Sequence, residues 1–255
     1  MSARSSAKSQ LPAVGKNAAD DPSVAARALS QIIERGARVQ APAVKAYVDR
    51  LREAAPEATP AEIVDKLEKH YLAAVVASGA AVGSAAAFPG IGTLVAMSAV
   101  AGETVVFLEA TAVFVLAMAE VHGIPAEHRE RRRTLVLAVL VGDDGKHAVA
   151  DLIGTGRTGG AWLADGAASL PLPAVSQLNS RLLKFFVKKY ALKRGAIAFG
   201  KLLPVGIGAV IGGVGNRAMG KKIIKNASSA FGSPPPRWPA TLHVLPAPPG
   251  TPAIE

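Results

Sequence analysis

The chain has 255 residues, half of them hydrophobic but only 5% aromatic, and a formal net charge of +10. That length accommodates one large domain or two small ones. The absence of cysteine excludes disulfides, thiolate metal sites and a cysteine nucleophile. The charge is uneven: residues 1–165 hold 17 Lys/Arg against 18 Asp/Glu, whereas 166–254 hold 12 Lys/Arg and no acid. An acid-free basic third points to an anionic partner, either lipid headgroups or nucleic acid. The apolar share is mainly Ala, Val, Leu and Ile. The mean hydropathy of +0.28 is high for a soluble protein and low for a chain made wholly of spanning helices.

Residues 1–21 are polar and predict a disordered segment. They hold no apolar run of the kind a secretory signal needs, so the cytoplasmic side is expected. A helix is expected from Asp21-Pro22 through Ile32 and Ile33. A second covers about 42–54, with Val44, Tyr47, Val48 and Leu51 on one face. Thr59-Pro60-Ala61-Glu62 combines an N-cap, a first-turn proline and a capping box, which predicts a helix starting at 60. No charged residue occurs from Tyr71 to Gly102. Pro89, Gly90 and Gly92 divide that run and predict a turn between two apolar helical arms, the second over about 93–121. His122-Gly123-Ile124-Pro125 stops it. A helix over about 126–141 begins with Arg129, Arg131, Arg132 and Arg133 and ends apolar.

Residues 142–172 are glycine-rich and predict a loop. A basic helix follows over about 173–194, then an apolar piece over 195–203 and a glycine-rich helix from Pro204 to about Phe231. Residues 233–255 are proline-rich and predict an extended, disordered tail. The expected fold is therefore all-α. It is one multi-helix domain over 22–232, built around an apolar helical hairpin and a glycine-rich C-terminal helix.

Small residues recur at steps of four: Gly79, Gly83 and Ala87, and then Gly208, Gly212, Asn216 and Gly220. That spacing keeps them on one helical face, where a second backbone can approach closely, either in a membrane or inside a helical domain. An arm over 71–88 would be about 27 Å long, against a hydrocarbon core of about 30 Å. The second arm carries Glu103 and Glu109, each costing about 2.5–3.5 kcal/mol at a bilayer centre. Shallow insertion or burial in protein is therefore favoured over stable spanning. Glu109 and Glu120 share a polar stripe, and Lys201, inside another apolar stretch, is the expected partner of a buried Glu109.

The 176–194 helix sets Arg181, Lys184, Lys188 and Lys189 beside a Leu178, Leu182, Phe185, Phe186 pattern. This composition suits an interfacial helix on anionic lipid, with Arg181, Lys184, Phe185, Phe186, Lys188 and Lys189 as candidate membrane-surface residues. A solvated surface helix has the same pattern. Nucleic acid is disfavoured, because no nucleic-acid module signature appears. Gly154-Thr155-Gly156-Arg157-Thr158-Gly159 lacks the acid that a dinucleotide fingerprint requires downstream. Gly215 to Lys222 resembles a phosphate loop but carries Lys222 where Ser or Thr belongs. The five histidines are scattered and form no zinc motif. No catalytic residue, cofactor or metal is expected.

The order of blocks resembles the EcsC family over roughly 60–232. The carrying residues are Phe88-Pro89-Gly90-Ile91-Gly92-Thr93, then Ala119-Glu120-Val121-His122-Gly123. Leu203-Pro204-Val205-Gly206-Ile207-Gly208 through Gly213, then Asn216 and Ala227 to Phe231, complete it. The resemblance implies a bacterial helical protein with no assigned reaction, in a family whose namesake is associated with an ABC transporter operon. The expected function is a non-enzymatic accessory protein at the cytoplasmic membrane face, binding anionic lipid or a membrane protein. The alternative is a soluble all-α protein that sequesters an apolar ligand.

Overall fold

The computed structural model describes residues 41–86, 93–124, 126, 128–142, 163, 170–197 and 207–239; side chains at 41, 82–86, 93–104, 187–197 and 207–212 fall outside that description. Among the described residues there are six helices: α1 (Ala41–Glu53), α2 (Pro60–Ala86), α3 (Thr93–Val121), α4 (Arg129–Val141), α5 (Leu172–Ile197) and α6 (Ile207–Phe231). Among the described residues there is no strand, and the fold is all-α. The helix expected from residue 22, the turn at Pro89, Gly90 and Gly92, and nearly all of 142–172 lie outside the described residues.

Helix α2 starts where its capping chemistry dictates. The Thr59 N–H donates to Glu62 Oε2 at 2.8 Å, and the Glu62 N–H donates to Thr59 Oγ1 at 3.3 Å, so two otherwise orphaned backbone donors are satisfied reciprocally. The backbone bond from Thr59, then its side-chain bond, holds the Glu62 carboxyl below its usual range. From there Ile63, Leu67, Tyr71 and Val75 step by four along one buried face.

Helix α3 must run back along α2. The six residues between Ala86 and Thr93 span at most about 25 Å, well short of the roughly 40 Å length of a 27-residue helix such as α2. The Tyr71 ring stacks on Phe114 with centroids 4.6 Å apart. Thr111 spends its single hydroxyl proton on the Phe107 carbonyl at 2.8 Å, so Tyr71 is the donor in the 2.9 Å bond between their hydroxyls. Six consecutive residues of α3, Phe114–Ala119, are buried, which means its whole circumference is covered there. The covering helices are α1, α2, α4 and α6.

α3 ends in a Schellman motif. Ile124 N–H donates to Ala119 O at 2.9 Å and Gly123 N–H to Glu120 O at 3.1 Å. Gly123 sits at φ +67°, a conformation only glycine adopts without strain.

α4 begins at Arg129 rather than near 126, because the backbone at His128 is extended, with φ −78° and ψ 129°. Arg132 is buried and donates to Ala126 O at 2.9 Å, and Arg131 donates to Leu170 O at 3.2 Å. Beyond them Thr134 to Val141 are all buried, with α3, α5 and α6 packed around them.

The start of the proline-rich tail, residues 232–239, forms neither helix nor strand, bends at several points and lies packed on the helices. Trp238 Nε1 donates to Ala58 O at 3.1 Å, and the Arg52 guanidinium sits 4.2 Å from the Trp238 ring centroid.

Candidate functional site on the outer faces of α5 and α6

Helix α5 has one buried face made by Val175, Leu178, Asn179, Leu182 and Phe186, which packs against α4. This corrects the expectation for Phe186. At 4% exposure it belongs to the core, because α4 covers the stripe made by Leu178, Leu182 and Phe186. Arg181 and Lys184 are exposed. Phe185 lies at the edge of the buried arc and keeps 43% of its surface. The side chains of Lys188 and Lys189 lie outside the described residues.

The buried face of α5 also carries a polar cluster that sequence reasoning missed. Asn179 is 2% exposed. Its Nδ2 donates to Glu130 Oε2 at 2.7 Å and to Glu130 O at 3.1 Å. The Thr134 hydroxyl faces Asn179 Oδ1 at 2.8 Å and Glu130 O at 3.0 Å. The cluster ties α5 to the first turns of α4. Its partners are 45 and 49 residues apart in sequence, so no helical period signals it.

Helix α6 is two-sided. Its inner face packs antiparallel on α2. Gly213 lies next to Val76 and Ala80, and Gly220 next to Tyr71, Leu72 and Val75. Asn216 Nδ2 donates to Val75 O at 2.9 Å, while Asn226 Nδ2 donates to Val139 O of α4 at 2.9 Å. The small-residue stripe thus works as helix packing at Asn216 and Gly220. Gly213 joins them, one residue off the expected register. Gly208 and Gly212 lie on α6 and Gly83 on α2, with surroundings outside the described residues; Gly79 is buried.

The outer face of α6 carries Val214, Arg217, Ala218, Lys221, Lys222 and Lys225, all exposed. No ion pair among the described residues engages these four cations. The acid near this helix is Glu68 on α2, at the C-terminal end, which bonds to Ser228. Burial, reinforced by Asp65, raises the Glu68 carboxyl above its usual value despite that bond.

Glu109 is half-buried rather than fully buried, and Glu120 is exposed. Lys201, the expected partner of Glu109, lies outside the described residues. No group of three or more His, Asp or Glu residues able to hold a metal ion occurs among the described residues. Among the same residues, no helix is long and apolar enough to cross a membrane. No protein-family model, no curated protein and no solved structure matches the chain.

Proposed function

We propose that this chain is a non-enzymatic peripheral protein that docks on an anionic membrane surface at the cytoplasmic face, as an accessory of the EcsC type. The observation that carries this reading is the acid-free stretch 166–254, with exposed cations on α5 and α6 and exposed apolar side chains among them. A cation near an anionic bilayer contributes about 1 kcal/mol. The four cations of α6 therefore give roughly 4 kcal/mol, which corresponds to a dissociation constant of about 1 mM. Charge alone is a weak anchor, and the exposed apolar side chains supply the part that salt does not screen.

Burial of Phe114–Ala119 on every side of α3, with Glu109 half-buried and Glu120 exposed on the same helix, favours surface docking over spanning. The apolar content that suggested a membrane is there used up inside the protein. An accessory role beside a transporter fits the same surface.

Co-sedimentation with vesicles of graded phosphatidylglycerol content tests the reading. Binding should rise with anionic lipid and fall with salt. In cells, the protein should leave the membrane fraction in a salt wash. A freely soluble protein that ignores such vesicles would instead favour sequestration of an apolar ligand. Binding to RNA or DNA with a steep salt slope would replace lipid by nucleic acid.

A further inference from the structure

Which surface makes that contact can be taken further, granting the membrane reading above. The structure assigns it to the outer face of α6. We infer that α6 lies along the bilayer with Val214, Ala218 and Met219 below the phosphates and Lys221, Lys222 and Lys225 among them.

Val214 is the most exposed large hydrophobic among the described residues, at 61%, and Met219 keeps 37% of its surface. On a helix of 100° per residue, positions 214, 218, 221 and 225 fall within an arc of about 60°, with Lys222 and Gly215 on one flank and Met219 at the far edge of the exposed side, about 140° from Val214. The face is graded along its length: Val214, Gly215, Ala218 and Met219 come first, and the three lysines follow. From 214 to 225 the helix rises about 16 Å, so the apolar end can dip while the lysines stay at headgroup level and extend their stems along the boundary.

Gly215 is a second, independent pointer. A glycine inside a helix weakens it. At 213 and 220 the close approach of α2 offsets that loss, but a Cβ placed at Gly215 would meet nothing within 4 Å. No contact within the described chain accounts for a glycine there. It leaves a flat, open point in the middle of the apolar end of the face.

Helix α5, the sequence-based candidate, offers less. Its Leu178, Leu182 and Phe186 are consumed by the core, so it can add charge but, among its described side chains, only Phe185 and, about 20 Å away at the start of the helix, Leu172 for depth. Single-stranded nucleic acid suits the α6 face poorly, since base stacking needs exposed aromatic rings and the face has none.

The chain has no cysteine, so a Gly215→Cys variant of the full chain carries one environment-sensitive dye. On phosphatidylglycerol/phosphatidylcholine vesicles its emission should shift to the blue. Brominated acyl chains should quench it and iodide should not. Lys221, Lys222 and Lys225 changed together to Gln should weaken partitioning roughly a hundredfold at low salt, a difference that shrinks as salt rises. Val214→Ser with Met219→Ser should weaken it roughly tenfold at every salt concentration. All these positions are exposed, so far-UV circular dichroism should be unchanged. A vesicle-bound protein whose Gly215→Cys dye stays fully open to iodide overturns the α6 assignment and leaves the membrane reading standing. If the unmodified chain ignores these vesicles, the membrane reading falls, and this inference falls with it.

Discussion

Asn216 reaches across from α6 to the Val75 carbonyl oxygen of α2, 141 residues away in sequence, with a 2.9 Å hydrogen bond. That carbonyl lies inside a helix and also accepts from the Ser78 hydroxyl at 3.1 Å, so Asn216 shares it with other donors, and the bond forms only because the two backbones approach closely. Asn216→Ala should cost about 1 kcal/mol, read as a lower urea midpoint with an unchanged slope. Asn216→Asp should cost more, because a carboxylate would face a carbonyl oxygen.

Two glycines of α6 should respond with opposite sign. An added Cβ at Gly220 would lie 2.9 Å from Val75 Cγ2 and 3.0 Å from Leu72 Cδ1, so Gly220→Ala should destabilise by about 1–2 kcal/mol even after its gain in helix propensity. Gly215→Ala meets open space and should stabilise by about 0.5–1 kcal/mol. Urea unfolding of both variants checks the pair, and stabilisation by both would disprove the α2–α6 packing.

His122 should make stability depend on pH. Its Nδ1 donates to Met118 O at 2.8 Å, while Nε2 is buried and makes no hydrogen bond. Burial pushes the imidazole below its ordinary value of 6.5, outweighing the Met118 and Gly232 backbone groups that favour its protonated form. Below pH 6.5 the unfolded chain therefore binds a proton that the folded chain refuses. Stability is full above that value and falls as pH drops towards the lower folded value. The urea midpoint should decrease between pH 7.5 and 5.5, and His122→Asn should flatten that decrease.

The cluster at the α4–α5 interface should behave as a unit. Asn179→Leu leaves Glu130 and Thr134 without their buried partner and should cost about 1–3 kcal/mol. Combining it with Thr134→Val should cost less than the two single changes together by at least about 0.5 kcal/mol. Strict additivity in a thermal unfolding cycle would show that the two side chains act separately.

The Trp238 contact should be modest and separable. Trp238→Phe removes the bond to Ala58 O and should cost about 1 kcal/mol. Arg52→Leu removes the cation over the ring and should cost about 0.5–1 kcal/mol. Far larger losses in urea unfolding would mean that residues 232–239 hold more of the fold than these contacts account for.

Local chemistry was the most legible part of the sequence. Thr59, Pro60 and Glu62 fix the start of α2, and Gly123 fixes the end of α3, because each signal is complete within a few residues. The Val44, Tyr47, Val48, Leu51 face of α1 follows from period alone. The burial of Phe186 does not. A Leu/Phe stripe looks the same whether lipid or protein covers it, and only the presence of α4 decides. The Glu130, Thr134 and Asn179 cluster joins partners too distant for any period. Trp238 left a faint signal, a lone indole in a proline-rich stretch, whose N–H favours a partner when half-buried. For the proposed surface, the sequence showed the cations of α6 and its small-residue stripe. Which side of α6 faces outward depended on where α2 lies.

The pairing of α2 with α6 also sets an order of events during synthesis. The two helices are neighbours in space, yet more than a hundred residues are made after α2 before α6 leaves the ribosome. Through that interval the face of α2 around Leu72, Val75 and Val76 has no partner from its own chain, so a temporary cover, by a chaperone or by a membrane surface, would protect the nascent chain from aggregation. The last step is necessarily a long-range one, which makes the domain slow to close for an all-helical protein. A chain ending before residue 207 would keep that surface bare permanently.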